Sequence, residues 1–227
     1  MILAAHQPQF MPWLGYFEKM LSSDVFVLLD DVQFKKNEWQ NRNRVWSREG
    51  PQWLTVPVLH EFPSEIRGVR INETTHWRHK HVQTLTQTYA KAACFPEQWE
   101  PFRRLYEQKG QCLLELNLAT IEALRRILDV STPLKLSSEL GVDGKSTERL
   151  VNLCRKLGAG VYLAGAGGKD YMDMALFEGA GIEVRFQEYA HPVYSQFDGP
   201  FVSHLSAFDL ICHHGRESSK IMRSTRS

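Results

Sequence analysis

The sequence predicts an α/β protein with a parallel sheet and a helical middle section. Three observations lead to this prediction. Apolar runs at residues 1–5 and 25–29 flank a helix-like run at 13–21, which is the order of a strand–helix–strand unit. A second strand–helix–strand pattern extends over residues 161–186. Between the two units, a helical pattern fills the chain from about 76 to 130.

The first unit indicates where a site should lie. Pro8 and Pro12 force an extended or turning connection after the first strand, and residues 22–24 end the helix that follows. Asp30 and Asp31 bound the second apolar run. Because ligands of open parallel sheets bind beyond the carboxyl ends of the strands, the polar residues that follow these two strands are the first candidates.

The remaining elements are predicted from apolar runs and their glycine and proline boundaries. Strands are predicted at residues 53–58, 66–71, 134–136, 161–163 and 182–186, and helices at 77–89, 99–107, 112–128, 146–157 and 171–177. No repeat or linker divides the chain. Residues 1–218 are therefore predicted to form one domain with a helical insertion at about 76–130, followed by a disordered tail at 219–227.

Composition excludes several classes of protein. The 227 residues carry 27 basic and 26 acidic side chains, a formal net charge of +1, with no long block of either sign. No nucleic-acid surface is therefore predicted. We also find no signal-peptide pattern and no apolar run of membrane length, so a cytoplasmic protein without a membrane partner is expected.

The cysteines and histidines give no metal prediction. Cys94, Cys112, Cys154 and Cys212 never form a CxxC pair, so reduced thiols are expected, with thiol catalysis by Cys154 or Cys212 as an alternative. The histidine-rich run 76–81 contains cationic neighbours and no carboxylate, which disfavours a metal ion.

His6 is the first candidate for chemistry. It leaves the first strand into a loop that opens a helix, where a side chain of near-neutral pKa suits acid–base work or contact with a phosphate. Gln7, Trp13 and Tyr16 lie just beyond it and are predicted to contact substrate. In the alternative interpretation, His6 only bonds a backbone carbonyl beneath the loop.

The polar segment 30–44 is the second candidate. Its paired carboxylates, Asp30 and Asp31, are predicted to be catalytic, while arginine forks, lysines and amides in the segment could hold an anionic, hydroxylated substrate. A solvated surface loop is the alternative, but it would be less aromatic. The predicted substrate-binding residues of this segment are Gln33, Lys35, Lys36, Trp39, Gln40, Arg42 and Asn43.

A glycine-rich loop follows the strand predicted at 161–163. Glycines let backbone N–H groups approach an anion, and the amino terminus of the next helix attracts negative charge. The spacing matches neither the P-loop nor the dinucleotide fingerprint, and a tight turn with positive φ explains the glycines equally well. The residues predicted to bind substrate here are Gly165, Gly167, Gly168, Lys169 and Tyr171.

A fourth group lies near the carboxyl end. His191 is a predicted catalytic residue, and Tyr194 and Gln196 are predicted substrate contacts, since they follow the last strand and could face the same crevice. Ser206 and Asp209 could face the same crevice or could equally be a helix cap and its first-turn acid, and the cap is the favoured interpretation of Ser206.

Several of these motifs together resemble the WbqC-like family. The amino-terminal match comprises His6-Gln7-Pro8, Gly15-Tyr16-Phe17, Asp24, Asp30-Asp31-Val32-Gln33-Phe34 and Trp39-Gln40-Asn41-Arg42-Asn43. It continues through Trp53 to Val58, Tyr162 to Gly165, Gln187 to Gln196 and Leu205 to Leu210, so the resemblance covers nearly the whole chain. The carboxyl end departs from the family, because Ile211 to His214 stand where such proteins carry Leu-Phe-Asn before the glycine.

The resemblance implies a setting in surface-glycan biosynthesis. Family members resemble accessory enzymes encoded with O-antigen and other sugar pathways. The opening strand, His-Gln-Pro loop, helix and strand also look like those of pantothenate synthetase and other HIGH-type nucleotidylyl transferases, which implies a Rossmann-like or nucleotidylyl-transferase-like sheet. The second histidine of the HIGH motif is missing here, because Gln9 and Phe10 follow Pro8.

These features lead to the hypothesis of a transferase or amide-forming ligase in a glycan or secondary-metabolite pathway. Acyl or aminoacyl transfer to an amine or hydroxyl fits sites that combine anion binding with acid–base groups and offer no obvious covalent nucleophile. The expected partners are a small-molecule or sugar-nucleotide substrate and a carrier protein or aminoacyl donor. No tightly bound cofactor is predicted, although a nucleotide would fit. The alternative is a non-catalytic ligand-binding or scaffold protein.

Overall fold

The computed structural model describes residues 1–108 and 112–225. Its strands are β1 (Ile2–His6), β2 (Val25–Leu28), β3 (Arg42–Val45), β4 (Gln52–Thr55), β5 (Val58–Leu59), β6 (Arg70–Ile71), β7 (Leu134–Leu136), β8 (Val161–Ala164) and β9 (Glu183–Phe186). Its helices are α1 (Leu14–Leu21), α2 (Trp77–Tyr89), α3 (Phe95–Glu107), α4 (Leu113–Ile127), α5 (Ser137–Leu140), α6 (Ser146–Leu157), α7 (Met174–Gly179), α8 (Ala207–His214) and α9 (Ser218–Arg223).

A five-stranded parallel sheet organises the fold, as predicted. Its strand order is β7-β2-β1-β8-β9, with β1 in the centre. Leu3 pairs with Val25 of β2 on one side and with Tyr162 of β8 on the other. The chain winds outward from β1 first in one direction and then in the other. The topological switch point therefore lies between the carboxyl ends of β1 and β8, where open α/β sheets bind ligands.

Helices cover both faces of this sheet because alternate strand residues point to opposite sides. On one face, Ala4, Phe26 and Leu28 belong to a large apolar cluster that also contains buried residues of α1, α4 and α8. On the other face, Leu3 and Val27 pack in a smaller cluster with α6 and α7. The helical middle section corresponds to α2, α3 and α4.

The strands predicted at 53–58 and 66–71 lie outside the main sheet. β4 pairs antiparallel with β3, and β5 with β6, in two separate hairpins. Residues 42–45, expected to lie in a polar segment, form β3 because Asn43 and Val45 face inward while Arg42 and Arg44 face outward. This alternation is the strand signal that the polar composition obscured.

The prediction of a disordered tail is wrong for residues 219–225, the part of the tail that the structure describes. Residues of α9 pack on the domain, with the Met222 side chain fully buried and Ser219 8% exposed. Arg223 also donates to the backbone oxygen of Asp129 at 2.6 Å. The apolar Ile221 and Met222 supply the buried face that the surrounding polar residues concealed; Arg226 and Ser227 lie outside the described residues. None of the described helices is long and apolar enough to span a membrane.

Replacing Met222 by alanine tests whether α9 is part of the core. We expect Met222→Ala to lower the free energy of unfolding by about 2–4 kcal/mol, because it removes a fully buried side chain. Urea denaturation gives the difference. Lys220→Ala, at an exposed position of the same helix, serves as the control; equal stability of both variants and the wild type would contradict a packed α9.

Candidate functional site

A cavity of about 430 Å³ opens at the switch point of the sheet. Its walls come from the ends of β1 and β8, from α1, from the start of α6 and from the glycine-rich loop. The residues that line it are Ala5, His6, Gln7, Lys19, Leu29, Val32, Ser146, Arg149, Leu150, Tyr162, Ala164, Gly165, Gly167, Gly168 and Tyr171. Of the predicted site residues, His6, Gln7, Gly165, Gly167, Gly168 and Tyr171 meet here.

His6 is held as a neutral imidazole at the end of β1. Its Nδ1 lies 3.2 Å from the backbone oxygen of Gln7, and a carbonyl can only accept, so this contact places the ring proton on Nδ1. Burial, reinforced by the positive charge of Lys19, lowers the pKa of His6 to about 3. The lone pair of Nε2 is therefore available to accept a proton at neutral pH.

Lys19 is a buried cation at the cavity wall that the sequence analysis did not identify. Its amine donates to the backbone oxygen of Ala5 at 3.0 Å, and the side chain is 3% exposed. No carboxylate of the described residues forms an ion pair with it. Burial lowers its pKa to about 8. An anionic ligand would supply the missing counter-charge.

Arg149 joins the cavity to the carboxylate of Asp31. One guanidinium nitrogen forms an ion pair with that carboxylate, whose side chain is 12% exposed. The Nε of Arg149 is shielded from solvent and has no hydrogen-bond partner. Part of the fork is therefore unused, which suits a guanidinium that completes its hydrogen bonds on a phosphate or carboxylate. Asp31 thus positions Arg149 beside the cavity.

The glycine-rich loop forms a 3₁₀ helix, Ala166–Asp170, and the helix predicted at 171–177 begins only at Met174. A Cβ at Gly168 would lie 2.8 Å from the sulfur of Met172 and 3.2 Å from the Cβ of Ala164. Close packing therefore explains the glycine at this position, and a positive φ does not. Positive φ occurs instead at Ser146, with φ of 49°, at the cavity end of α6. The amino terminus of α6 consequently faces the cavity together with the loop.

Asp30, a predicted catalytic residue, lies outside the cavity lining. It is 1% exposed, and its carboxylate accepts from the backbone N–H of Ser138 at 3.0 Å and from the hydroxyls of Ser137 and Ser138. These are the bonds of a residue that caps the start of a helix, here α5. Asp30 therefore ties the end of β2 to α5.

The polar segment 33–43 divides between scaffold and surface. Gln40 donates to the side-chain oxygen of Gln7 at 2.9 Å, and Asn43 donates to the backbone oxygens of Phe10 and Met11. Both side chains are buried and lie outside the cavity lining, and their bonds hold the loops in place. The remaining predicted residues line other surfaces: Gln33, Lys35 and Lys36 are exposed, and Trp39 and Arg42 belong to an outer cluster.

The predicted residues near the carboxyl end form separate clusters. Tyr194 and Gln196 donate to the buried carboxylate of Asp209 at 3.0 and 2.7 Å, so they stabilise the packing of α8. His191 stacks on Trp13 with ring centroids 6.4 Å apart, and neither residue lines the cavity. Burial lowers the pKa of His191. The Ser206 hydroxyl accepts from the N–H of Phe208, which confirms the predicted cap.

Two further predicted contacts have structural roles. Tyr16 is 2% exposed and donates to the backbone oxygen of Gln7 at 3.1 Å, so it supports the loop of His6 from below. Lys169 is exposed and lies over the ring of Phe186 at 5.1 Å from the amine to the ring centroid. Both lie outside the cavity lining.

The structure does not support the alternative of thiol catalysis. Cys154 and Cys212 are fully buried and lie outside the cavity lining. Burial raises the pKa of Cys154 to about 12 and that of Cys212 well above its usual value. Both thiols are therefore protonated at neutral pH and inaccessible, whereas the reactive form is an exposed thiolate.

Comparison with known proteins identifies the family. The model of the WbqC-like protein family matches residues 7–221. The chain belongs to the WbqC-like family. This WbqC-like protein is also 33% identical to the uncharacterized protein Rv1507c of Mycobacterium tuberculosis (strain ATCC 25618 / H37Rv), over 99% of this chain and 98% of that protein. No solved structure matches it. Membership of the family suggests involvement in a biosynthetic pathway.

Sequence reasoning missed Lys19, Ser146 and Arg149 for an identifiable reason. Each is placed at the cavity by a helix whose residues alone give no sign of a ligand. The available signal for Lys19 was a pair of charged side chains, Glu18 and Lys19, within an apolar helical run, and for Ser146 it was Gly144 just before a helix start. The partner of Arg149 lies 118 residues away, so no local pattern could reveal it.

The pKa of Lys19 predicts a pH-dependent stability difference. Between its folded value of about 8 and its usual 10.5, the unfolded chain binds a proton that the folded chain does not, so stability rises with pH. Lys19→Met abolishes this gain. The amount by which the free energy of unfolding of Lys19→Met exceeds that of the wild type should therefore be greatest below pH 8. This difference should shrink by up to about 3 kcal/mol toward pH 10.5.

Urea denaturation at several pH values between about 7 and 10 measures this difference. Lys36→Met, at an exposed lysine, is the control and should give a constant difference from the wild type. A constant difference for Lys19→Met as well would mean that the folded protein does not perturb this amine.

Proposed function

We propose that this WbqC-like protein is a group transferase or amide-forming ligase that binds a small anionic metabolite in the switch-point cavity. The observation that carries the proposal is that two cations share this cavity with a neutral His6: Lys19, which has no ion pair among the described residues, and Arg149, which pairs with Asp31 but keeps an unbonded Nε. Transfer of an acyl or aminoacyl group to an amine or hydroxyl of a sugar or small metabolite fits this combination of charges and proton acceptor.

Anion binding is supported by four kinds of donor around one space. Lys19 and Arg149 supply positive charge. The glycine-rich loop lines the same space, and its backbone N–H groups other than that of Gly168, which bonds the carbonyl of Gly165, would donate to an anion. The amino terminus of α6, a helix of 12 residues, adds the positive end of its dipole. Phosphate or carboxylate is the chemical class that uses all of these donors at once. A nucleotide or sugar nucleotide falls within this class.

Acid–base catalysis is supported by the state of His6. A neutral imidazole with an unengaged Nε2 can remove a proton from an attacking amine or hydroxyl. The resulting imidazolium would be disfavoured by burial and by Lys19, but a bound anion would offset both effects. Ligand charge and proton transfer would then be coupled, so that the base becomes effective when the substrate is present.

A non-catalytic binding protein is the second candidate function. The same cations and backbone donors would hold an anionic ligand without any reaction. The specific observation that favours this candidate is the pKa of His6, which is about 3 without a ligand and describes a weak base. Turnover distinguishes the two functions, because both require binding.

The expected test combines binding with product detection. Calorimetry with phosphate, pyrophosphate, nucleotides and sugar nucleotides identifies the anion class, and mass spectrometry detects products after addition of acyl or aminoacyl donors. Arg149→Gln should weaken binding by about 10- to 100-fold, because it removes charge-assisted hydrogen bonds. His6→Asn should retain binding and abolish product formation.

Arg155→Gln provides the matched control. Arg155 lies on the same helix, is exposed and lies outside the cavity lining, so its loss changes net charge equally without touching the site. Binding by the wild type without any product would favour the non-catalytic candidate. Equal affinities of the Arg149→Gln and Arg155→Gln variants would contradict the assignment of the cavity.

A further inference from the structure

The hairpin β3–β4 and the loop before it carry a cluster of two arginines and two tryptophans, half-buried except for the exposed Trp53, outside the cavity. We call Trp39, Arg42, Arg44 and Trp53 the arginine–tryptophan platform. Arg44 pairs with Trp53 across the hairpin, and Arg42 lies two residues away on the same face. The indole rings of Trp39 and Trp53 lie 5.3 Å apart between centroids, and Trp53 is 44% exposed.

The two guanidinium groups are stacked on aromatic rings and lack carboxylate partners. The Cζ of Arg42 lies 4.1 Å from the ring centroid of Trp53, and that of Arg44 lies 5.8 Å from the same ring. One nitrogen of Arg44 donates to the backbone oxygen of His204. The Nε atoms of both arginines have no hydrogen-bond partner. Within residues 1–108 and 112–225, neither guanidinium forms an ion pair.

The backbone beneath the platform is held in place by buried amides. Asn41 donates to the carbonyl of Val56 at 3.0 Å, while Asn43 bonds the carbonyls of Phe10 and Met11. These two residues alternate with the arginines along β3, so that each outward arginine has an inward anchor beside it. The side chains of the platform are therefore presented by a fixed strand, which reduces the entropy lost on binding.

The charge around the platform is strongly one-sided. The loop that leads into β3 adds the exposed Lys35 and Lys36, against one exposed carboxylate, Glu38. The whole chain is nearly neutral, at +1, so this local excess of positive charge is a property of the surface and not of the composition. A partner of negative charge would complement this surface.

We propose that the arginine–tryptophan platform docks an acidic segment of a partner protein. Carboxylates of the partner would form bidentate bonds with the guanidinium edges of Arg42 and Arg44, and an apolar side chain would cover Trp53. Tryptophan and arginine are the residues most enriched at energetic centres of protein interfaces. Small molecules prefer concave sites, and neither arginine lines the switch-point cavity, so a protein segment is the occupant that the geometry favours.

A short fluorescent peptide in which glutamates flank leucines is the probe for this surface. The comparison is the same peptide with glutamine in place of each glutamate. By fluorescence anisotropy, we expect the wild type to bind the glutamate peptide at least about tenfold more tightly, because only carboxylates form charge-assisted bonds with the arginines. Raising the salt concentration from about 0.05 to 0.3 M should weaken the glutamate peptide selectively.

Variants distinguish the platform from general positive charge. The double variant Arg42→Gln/Arg44→Gln should lose the preference for glutamate, and Trp53→Ala should weaken both peptides. The double variant Arg48→Gln/Arg155→Gln removes the same charge at two exposed positions outside the platform, one in the turn of the same hairpin and one on α6, and should bind like the wild type. Thermal denaturation verifies folding, and Trp53→Phe supplies a milder variant if Trp53→Ala unfolds.

Four outcomes would overturn the proposal. The first is equal binding of the glutamate and glutamine peptides by the wild type. The second is an equal loss of preference in the Arg48→Gln/Arg155→Gln variant. In the third, oligothymidylate of the same charge binds more tightly and displaces the peptide, which would assign the platform to nucleic acid. In the fourth, light scattering finds a dimer that Trp53→Ala dissociates, which would make a second copy of this chain the occupant.

Discussion

The parallel pairing of β1 with both β2 and β8 is the constraint on which the rest of the structure depends. Because β1 has a neighbour on each side, its carboxyl end opens at the point where the winding of the sheet reverses. His6 is the last residue of this strand, and the glycine-rich loop after β8 begins beside it. The side chains of β1 also alternate between the two apolar clusters, so the same strand places the cavity and anchors the helices that form its walls.

Burial of polar groups around this strand explains why the adjoining loops are so rich in amides and carboxylates. Asp30, Gln40, Asn43 and Asn117 are all at most 2% exposed, and each one bonds a backbone or side-chain group of another segment. A buried polar group without a partner costs about 1–3 kcal/mol, so these bonds specify how the loops are arranged. Residues that looked like substrate contacts are thus the framework that keeps His6, Gln7 and the platform in position.

The unpaired groups have a different meaning from the paired ones. The buried carboxylate of Asp209 receives hydrogen bonds from Tyr89, Tyr194 and Gln196. Among residues 1–108 and 112–225, Lys19 has no carboxylate partner, and Arg149 and the two platform arginines each keep an unbonded Nε. Charges of one sign left incompletely compensated in two separate places are compatible with two separate anionic occupants. One would enter the cavity, and the other would lie on the surface.

Sequence by itself determined the elements that depend on local chemistry. Apolar periodicity predicted the parallel sheet and the helical middle section, and the His6 and glycine-rich loops were correctly expected at the carboxyl ends of strands. Tertiary structure alone decided which side chains share the cavity. Lys19 and Arg149 lie on helices that cover opposite faces of the sheet. Asp30 accepts hydrogen bonds from α5, and Arg42 lies on the outward face of a hairpin. These outcomes depend on pairing between distant segments and on desolvation, neither of which a local pattern records.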